Sequence, residues 1–328
     1  FLLGPLRLGA GGHRAVGLAD RGQRKSASAG ASNRVAAEQR ELLDLSHWSV
    51  AFTGAEPIRS ATLDRFVSAF AACGFRREAF FPCYGLAEAT LIVSGGTKAG
   101  GPTVETVRRA ELAENRIIRA VSDDPDKVQT VVGCGLVLPH ERVLVVHPDS
   151  RTVCGPAEVG EIWVSSESVA RGYWNRPDET TQTFAAKLST GATELYLRTG
   201  DLGYVHESEL FVTGRLKDLI IIRGRNLYAQ DIEFTVETCH AALLPNCGAA
   251  FTIEVDAEER LVIVHELALQ GRADADAVPG LDMAPGVPGQ PHQPGLPRRL
   301  RTVPDDPDLG PSRRIFFKQV RSMIPLVD

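Results

Sequence analysis

Four short glycine-bearing turns carry most of the side chains in this sequence that could do chemistry. Each follows a strand-like run: "TGAEP" at residues 53–57, "YGLAE" at 84–88, "RTGD" at 198–201 and "GRLKD" at 214–218. A strand that runs into a glycine turn brings backbone amides close to an anionic or planar ligand. Taken singly, each turn is also ordinary loop chemistry, in which Asp201 forms a turn and Lys217 is a solvated surface lysine.

Glu88 is the most informative of these side chains because its sequence neighbours are apolar. It lies within "YGLAEATLIV", and a buried carboxylate without a partner is costly. Glu88 is therefore either a carboxylate at a helix start, where the helix dipole favours negative charge, or it has a partner elsewhere that offsets its charge.

The composition fits a protein with a packed core and excludes several functional classes. The 328 residues are 43% hydrophobic, enough for one large domain or two smaller ones, and the net charge is −5. No basic tract predicts nucleic-acid binding, and no apolar run reaches the roughly 20 residues of a membrane span. The six cysteines show neither CxxC pairs nor metal-ligand spacing, which predicts reduced thiols and a cytoplasmic protein.

The spacing of apolar residues predicts a mixture of helices and strands. Residues 35–45 and 60–75 are typical of helices, the second with Ser60 or Thr62 as its N-cap and Gly74 at its end. Short strands separated by Gly, Pro and Asp follow over residues 131–213, as in a small barrel or sandwich. Later stretches predict a strand, a glycine turn and a helix (215–240), then two strands joined by an acidic turn (249–267).

Both ends of the chain lack such patterns. Residues 1–34 have little apolar bulk and are predicted to be an unpatterned segment. Nine of the twenty prolines fall within residues 271–311, and proline supplies no amide donor to a helix interior or a central strand. We therefore interpret residues 271–328 as a Pro-rich tail, either disordered or a frame-shifted reading of an ordinary domain. We expect no strand of this tail to complete the sheet formed before it.

One longer stretch is more specific than any single turn. "GEIWVSSESVARGYWNRPDETTQTF", at residues 160–184, resembles the motif with which the adenylate-forming superfamily closes its barrel subdomain. Together with "GAEPI", "YGLAEATLIVSGG", "LRTGDLG" and "GRLKDLIIIRGRNLYAQDIE", it is most similar to the fatty-acyl-AMP ligases, over residues 35–267. The resemblance implies an α/β adenylate-forming fold. Residues 35–216 would be the C-terminal part of the large AMP-binding domain with its β-barrel subdomain, and residues 217–270 the start of a truncated small C-terminal domain.

The resemblance also assigns an expected role to each turn. The residues that would bind the adenine end of ATP or AMP are Gly54, Ala55, Glu56 and Pro57 on one side, and Tyr84 and Gly85 on the other. Glu88 would hold Mg²⁺ beside the ATP phosphates, which would explain a carboxylate in apolar surroundings. Asp201 would accept hydrogen bonds from the ribose hydroxyls, and Arg215 would reach ribose or phosphate. Lys217 takes the place of the hinge residue about which the small domain rotates during catalysis.

The implied reaction is ATP-dependent activation of a fatty acid to an acyl-AMP. The acyl group would then pass to the thiol of an acyl carrier protein or of a polyketide synthase carrier domain. The charged segment 99–132 lies where acyl-AMP ligases carry an insertion that acyl-CoA synthetases lack. The family's phosphate loop and C-terminal catalytic lysine do not occur in this sequence, so the chain by itself is predicted to be a poor catalyst. An acyl-CoA synthetase and a non-catalytic nucleotide-binding remnant are the alternatives.

Overall fold

The computed structural model describes residues 7–8, 35, 37–122, 124, 127–222, 225–239, 243–255, 258–268 and 313–320. The chain divides into two compact units, residues 1–217 and 218–328. Within the described ranges, no helix has the length and apolar character needed to cross a membrane. The predictions made for most of residues 1–34, and for 271–312 and 321–328, concern residues outside these ranges.

The first unit consists of short helices and a large mixed sheet. Its strands are β1 (Arg7–Leu8), β2 (Leu43–Asp44), β3 (Ala51–Thr53), β4 (Phe80–Tyr84), β5 (Ser94–Gly95), β6 (Val104–Arg108), β7 (Val128–Val137), β8 (Arg142–Val146), β9 (Gly160–Ser165), β10 (Leu197–His206) and β11 (Glu209–Arg215). Its α-helices are α1 (Ala37–Arg40), α2 (Ser60–Phe70), α3 (Arg109–Leu112) and α4 (Pro177–Phe184). Single 3₁₀ turns lie at Ala71–Cys73, Arg77–Ala79, Ala87–Ala89 and Leu216–Asp218.

Nine of these strands form one continuous sheet. Its order is β3-β4-β5-β7-β11-β10-β9-β8, with β6 paired to β7, while β1 and β2 pair separately. Strands β3 and β4 are parallel, with Thr53 opposite Pro82, and the remaining pairs are antiparallel. Because the carboxyl ends of parallel neighbours lie at the same edge of a sheet, the first two glycine turns of the sequence leave this edge side by side.

Helix α2 confirms the prediction made from its periodicity. Its buried residues recur at helical spacing and are Thr62, Leu63, Phe66 and Phe70. Gly74 ends the segment in the left-handed conformation, with φ +82°. The predicted N-cap was wrong, because Arg59 is the cap residue and no side chain caps the helix. The hydroxyl of Ser60 instead donates a hydrogen bond to Asp64 Oδ2, at 3.3 Å.

The helix predicted for residues 35–45 is much shorter than expected. Only α1 is helical, and strand β2 follows it. Asp44 Oδ1 accepts hydrogen bonds from the amide and hydroxyl of Ser46, at 3.0 and 2.6 Å, and the amide of Leu45 donates to the carbonyl of Cys73 at 2.7 Å. These partners replace the bonds that a continuing helix would have made.

The second unit contains a hairpin, a helix and a three-stranded antiparallel sheet. Its elements are β12 (Leu219–Ile222), β13 (Arg225–Tyr228), α5 (Ala229–Thr238), β14 (Leu243–Val255), β15 (Glu258–Ala268) and β16 (Arg313–Val320). One core cluster of this unit consists of Ile220, Ile232, Ala250, Leu261 and Ile263. The helix and the two strands of residues 249–267 confirm the sequence prediction, whereas β13 was not predicted.

Strand β16 corrects the expectation that the tail adds nothing to this sheet. It pairs antiparallel with β15, from Arg313 opposite Ala268 to Val320 opposite Leu261. Residues 313–320 contain neither proline nor glycine, so every residue can offer its amide to a neighbouring strand. The high proline content of the tail thus does not extend to this segment.

Candidate functional site

The turn at residues 54–57 approaches the end of β4 through its backbone. A Cβ atom on Gly54 would lie 2.5 Å from the carbonyl oxygen of Cys83, a distance that only glycine avoids. Ala55 follows with φ +64°, in the left-handed region that non-glycine residues adopt at an energetic cost. Ala55, Glu56 and Pro57 are exposed. The predicted adenine-binding turn is therefore an accessible surface whose shape is set by the backbone.

The second turn folds back tightly just after Tyr84. A Cβ atom on Gly85 would lie 1.4 Å from the carbonyl oxygen of Leu91, and Leu91 itself has φ +93°. Glu88 occupies the middle of the single 3₁₀ turn Ala87–Ala89 inside this loop. Glu88 is thus held on a compact turn and does not begin an α-helix.

The carboxylate of Glu88 is partly exposed and has a neutral partner. Its Oε1 accepts a hydrogen bond from Tyr173 Oη at 2.8 Å, and its backbone carbonyl accepts one from the amide of Ala170 at 2.8 Å. Burial and the Glu88 carboxylate both raise the pKa of Tyr173, so this tyrosine stays protonated at neutral pH. Since no basic side chain of the described residues is paired with Glu88, its charge can interact with an added cation.

Asp201 connects the second turn, the third turn and strand β11. It lies opposite Arg215 in the β10–β11 pair, and its Oδ1 accepts a hydrogen bond from Arg215 Nε at 2.9 Å. Its Oδ2 accepts one from Tyr84 Oη at 2.7 Å, between residues 117 positions apart in the sequence. Because each carboxylate oxygen can accept two hydrogen bonds, both oxygens of Asp201 retain capacity for a ligand.

Tyr84 contributes a hydroxyl group that the sequence analysis did not consider. The residue is 9% exposed and packs in a cluster with Ile162, Leu197 and Leu210. Burial, followed by the negative charge of Asp201, raises the pKa of Tyr84 well above its ordinary value. The Tyr84 hydroxyl is therefore a permanent donor to Asp201 at neutral pH.

Two further residues of this region were missed in the sequence. Tyr173 lies within the stretch 160–184 but gave no separate signal there. Glu161 is 2% exposed in β9 and accepts a hydrogen bond from the amide of Gly200, one residue before Asp201, at 3.2 Å. A charged residue inside the apolar run "GEIWV" was the available signal, the same signal that drew attention to Glu88.

Lys217 lies apart from the residues that contact one another. It is exposed, it belongs to the 3₁₀ turn Leu216–Asp218, and it is the last residue of the first unit. Within the described part of the chain, no hydrogen bond or ion pair joins it to Tyr84, Asp201 or Arg215. Its role as a hinge stays a prediction.

The described residues offer no ready-made metal cage. They contain no group of three or more His, Cys, Asp or Glu side chains that could hold a metal ion. A single carboxylate such as Glu88 fits a magnesium ion that takes its other ligands from phosphates and water, which is the usual arrangement for this ion in nucleotide sites.

Comparisons with known proteins place this chain in a family. The family model described as AMP-binding enzyme matches residues 18–174. The medium-chain-fatty-acid–[acyl-carrier-protein] ligase JamA of Moorena producens is 46% identical over 250 residues, covering 75% of this chain and 42% of that protein. The 4-hydroxyphenylalkanoate adenylyltransferase of Mycobacterium marinum is 38% identical over 257 residues, covering 76% and 40%.

A solved structure agrees with these relatives. The fatty acid AMP ligase from Legionella pneumophila superposes with a TM-score of 0.56 at 46% identity, over 72% of this chain and 40% of that chain. The α/β fold is thus that of the adenylate-forming enzymes, as the sequence predicted. The chain belongs to this family of AMP-binding enzymes, in its fatty-acyl-AMP ligase branch. It spans about 40% of the length of these relatives.

Proposed function

We propose that this chain is part of an enzyme that activates a fatty acid with ATP and transfers it to a carrier-protein thiol. In the first step a carboxylate oxygen of the fatty acid attacks the α-phosphorus of ATP, and pyrophosphate leaves. In the second step the phosphopantetheine thiol of an acyl carrier protein or polyketide synthase carrier domain attacks the acyl carbonyl, and AMP leaves. The observation that carries the proposal is the contact of Asp201 with both Tyr84 and Arg215, on turns that resemble the nucleotide-binding motifs of the family.

In this proposal the nucleoside lies over the two turns that leave β3 and β4. The exposed turn 54–57 borders the adenine on one side, and Tyr84 and Gly85 border it on the other. Since only 9% of Tyr84 is exposed, its larger contribution is the hydrogen bond that orients Asp201. Asp201 accepts hydrogen bonds from the ribose hydroxyls through its remaining lone pairs, and the half-exposed Arg215 can reach ribose or phosphate with its free nitrogens.

Glu88 is the residue that would hold Mg²⁺. The ion, when bound, would neutralise part of the negative charge of the ATP phosphates. Glu88 would supply one oxygen ligand from the 3₁₀ turn Ala87–Ala89, and Tyr173 orients that carboxylate through its hydrogen bond of 2.8 Å. Lys217, at the limit between the two units, is proposed as the hinge residue between the two half-reactions.

We propose that the 328-residue chain has little activity on its own. It matches only 42% of the length of its carrier-protein ligase relative, and catalysis of this type depends on several groups that surround the phosphates together. We expect the low activity to arise because the groups that lie in the rest of the relatives' length are absent. A defect in the turns described above is not the expected cause.

Trapping of the acyl-AMP with hydroxylamine tests the proposal. The full-length protein that contains this sequence should form hydroxamates from fatty acids in the presence of ATP and Mg²⁺, and Asp201→Asn should lower the rate. The 328-residue chain is the comparison and should give little product. A full-length protein that forms no hydroxamate with fatty acids of any length would refute the assignment, and it would favour a non-catalytic nucleotide-binding protein.

A further inference from the structure

Glu161 is a buried carboxylate whose hydrogen bonds converge on one turn. It is 2% exposed. Its Oε2 accepts hydrogen bonds from Trp163 Nε1 at 2.9 Å and from Arg198 Nη2 at 2.7 Å. Its Oε1 accepts one from the amide of Gly200 at 3.2 Å. A buried charge is tolerated when it is paired and its lone pairs are used, and Glu161 meets both conditions.

These bonds take the place of backbone hydrogen bonds between β9 and β10, which are interrupted next to Glu161. In the pairing of β9 and β10, Arg198 lies opposite Trp163 and Leu202 opposite Glu161, with a register shift between them. Residues 199–201 of β10 therefore face only Ile162 of β9. Such a bulge needs other partners for its backbone groups, and the side chain of Glu161 supplies one of them.

A second side chain, that of Thr199, also forms hydrogen bonds that hold the bulge. The hydroxyl of Thr199 donates to the carbonyl of Ile162 at 2.7 Å and accepts from the amide of Asp201 at 3.1 Å. Gly200, between Thr199 and Asp201 in the sequence, has φ +71°, a left-handed conformation that glycine adopts without strain. The direction in which Asp201 leaves the strand is thus set by this short network.

We propose that Glu161 is a positioning residue for the ribose-binding carboxylate. Through Gly200 and Arg198 it fixes the bulge, and the bulge aims Asp201 at Tyr84 and at the ribose hydroxyls. The inference rests on the proposed function, in which Asp201 binds the ribose. Glu161 itself does not touch the nucleotide.

A matched control lies just before strand β10. Glu194 accepts a hydrogen bond from Tyr196 Oη at 2.6 Å and forms an ion pair with Arg142. The guanidinium of Arg142 lies 5.9 Å from the ring centre of Tyr196, and that of Arg198 lies 5.7 Å from Trp163. Both clusters thus combine a glutamate, an arginine and an aromatic ring, but only the cluster of Glu161 reaches the bulge.

Hydrogen exchange measures the positioning role directly in the 328-residue chain. In Glu161→Gln, the amides of residues 199–202 should exchange about tenfold faster than in the unchanged chain, because their local structure opens more often. The amides of β7 should not change, and Glu194→Gln should leave residues 199–202 unaffected. Glu161→Asp keeps the negative charge but moves the carboxylate away from the bulge. It should therefore also speed the exchange of the amides of residues 199–202. Unchanged exchange at residues 199–202 in both Glu161 variants would overturn the proposal.

Measurement of nucleotide binding distinguishes a positioning role of Glu161 from a general contribution to the stability of the fold. By calorimetry, Glu161→Gln should weaken AMP binding about tenfold, the effect of one misplaced hydrogen-bonding group, yet leave the affinity for 2′,3′-dideoxy-AMP unchanged. Equal weakening for both nucleotides would overturn the positioning role. If Asp201→Ala leaves AMP binding unchanged, the ribose assignment itself is wrong, and hydrogen exchange still decides whether Glu161 holds the bulge.

Discussion

Replacement of Tyr84 by phenylalanine removes one hydroxyl group and leaves the buried ring in place. The lost bond, at 2.7 Å, is made to a charged acceptor in a side chain that is 13% exposed. Hydrogen bonds to charged groups contribute about 1.5–3 kcal/mol, and Asp201 keeps Arg215 as a second partner. We therefore expect Tyr84→Phe to lower the free energy of unfolding by about 2 kcal/mol at pH 7.

The pH dependence of this difference has a definite sign. The folded protein raises the pKa of Tyr84 well above the ordinary value of 10.0, through burial and then through Asp201. The stabilisation is complete below pH 10. Above it, the unfolded chain releases a proton that the folded chain keeps, and the stabilisation is lost as pH rises. The difference between the two proteins should therefore shrink by about 1.4 kcal/mol for each pH unit above 10.

Denaturant unfolding followed by tryptophan fluorescence measures both effects. All three tryptophans, Trp48, Trp163 and Trp174, lie in the first unit, so the signal reports the unit that contains Tyr84. Tyr196→Phe is the control: it also loses a hydrogen bond to a carboxylate, that of Glu194, and it should leave AMP binding unchanged while Tyr84→Phe weakens it. A difference below about 0.5 kcal/mol at pH 7, or one that does not change between pH 10 and 11.5, would show that Asp201 does not depend on the Tyr84 hydroxyl.

Three further predictions concern the metal ligand, the acceptor and the first turn. In the full-length protein, Glu88→Gln keeps the shape of the side chain but removes its charge, so acyl-AMP formation should fall by roughly tenfold to a thousandfold; unchanged hydroxamate yield would contradict the magnesium assignment. Mass spectrometry of the same protein with fatty acid, ATP and CoA should detect acyl-AMP and little acyl-CoA, and rapid formation of acyl-CoA would place the protein with the acyl-CoA synthetases. Gly54→Ala should lower the free energy of unfolding by about 1–3 kcal/mol because its Cβ would lie 2.5 Å from the carbonyl oxygen of Cys83. Gly155→Ala is the control and should have little effect on the unfolding midpoint, because its Cβ would lie 3.5 Å from its nearest neighbour. Equal midpoints for the two variants would show that the turn at residue 54 can relax.

The sequence determined the elements whose signals are local. The apolar period of residues 60–70 specified helix α2, and the order of the four glycine turns with the stretch 160–184 specified the family. The helical period can be read without coordinates because it depends on neighbours within one or two turns of a helix, and each family motif lies within one short stretch of the sequence. Local reasoning singled out Glu88 by its apolar neighbours, whereas Asp201 and Arg215 became residues of interest through the family resemblance.

Local patterns were insufficient where partners are distant in the sequence. The helix predicted for residues 35–45 stops early because Leu45 bonds to Cys73. Strand β16 forms because residues 313–320 find β15, across a segment rich in proline. In each case a partner from elsewhere in the chain satisfies backbone groups that the local pattern had assigned differently.

The site itself shows the same division. The family resemblance of the sequence singled out Tyr84, Asp201 and Arg215, but only the sheet order, with β11 between β7 and β10, brings an aspartate to a tyrosine 117 positions away. The role of Glu161 likewise depends on a register shift between β9 and β10. Residue types fix which hydrogen bonds are chemically possible, whereas strand pairing fixes which of them are made, because such bonds require donor and acceptor to lie within about 3 Å of each other.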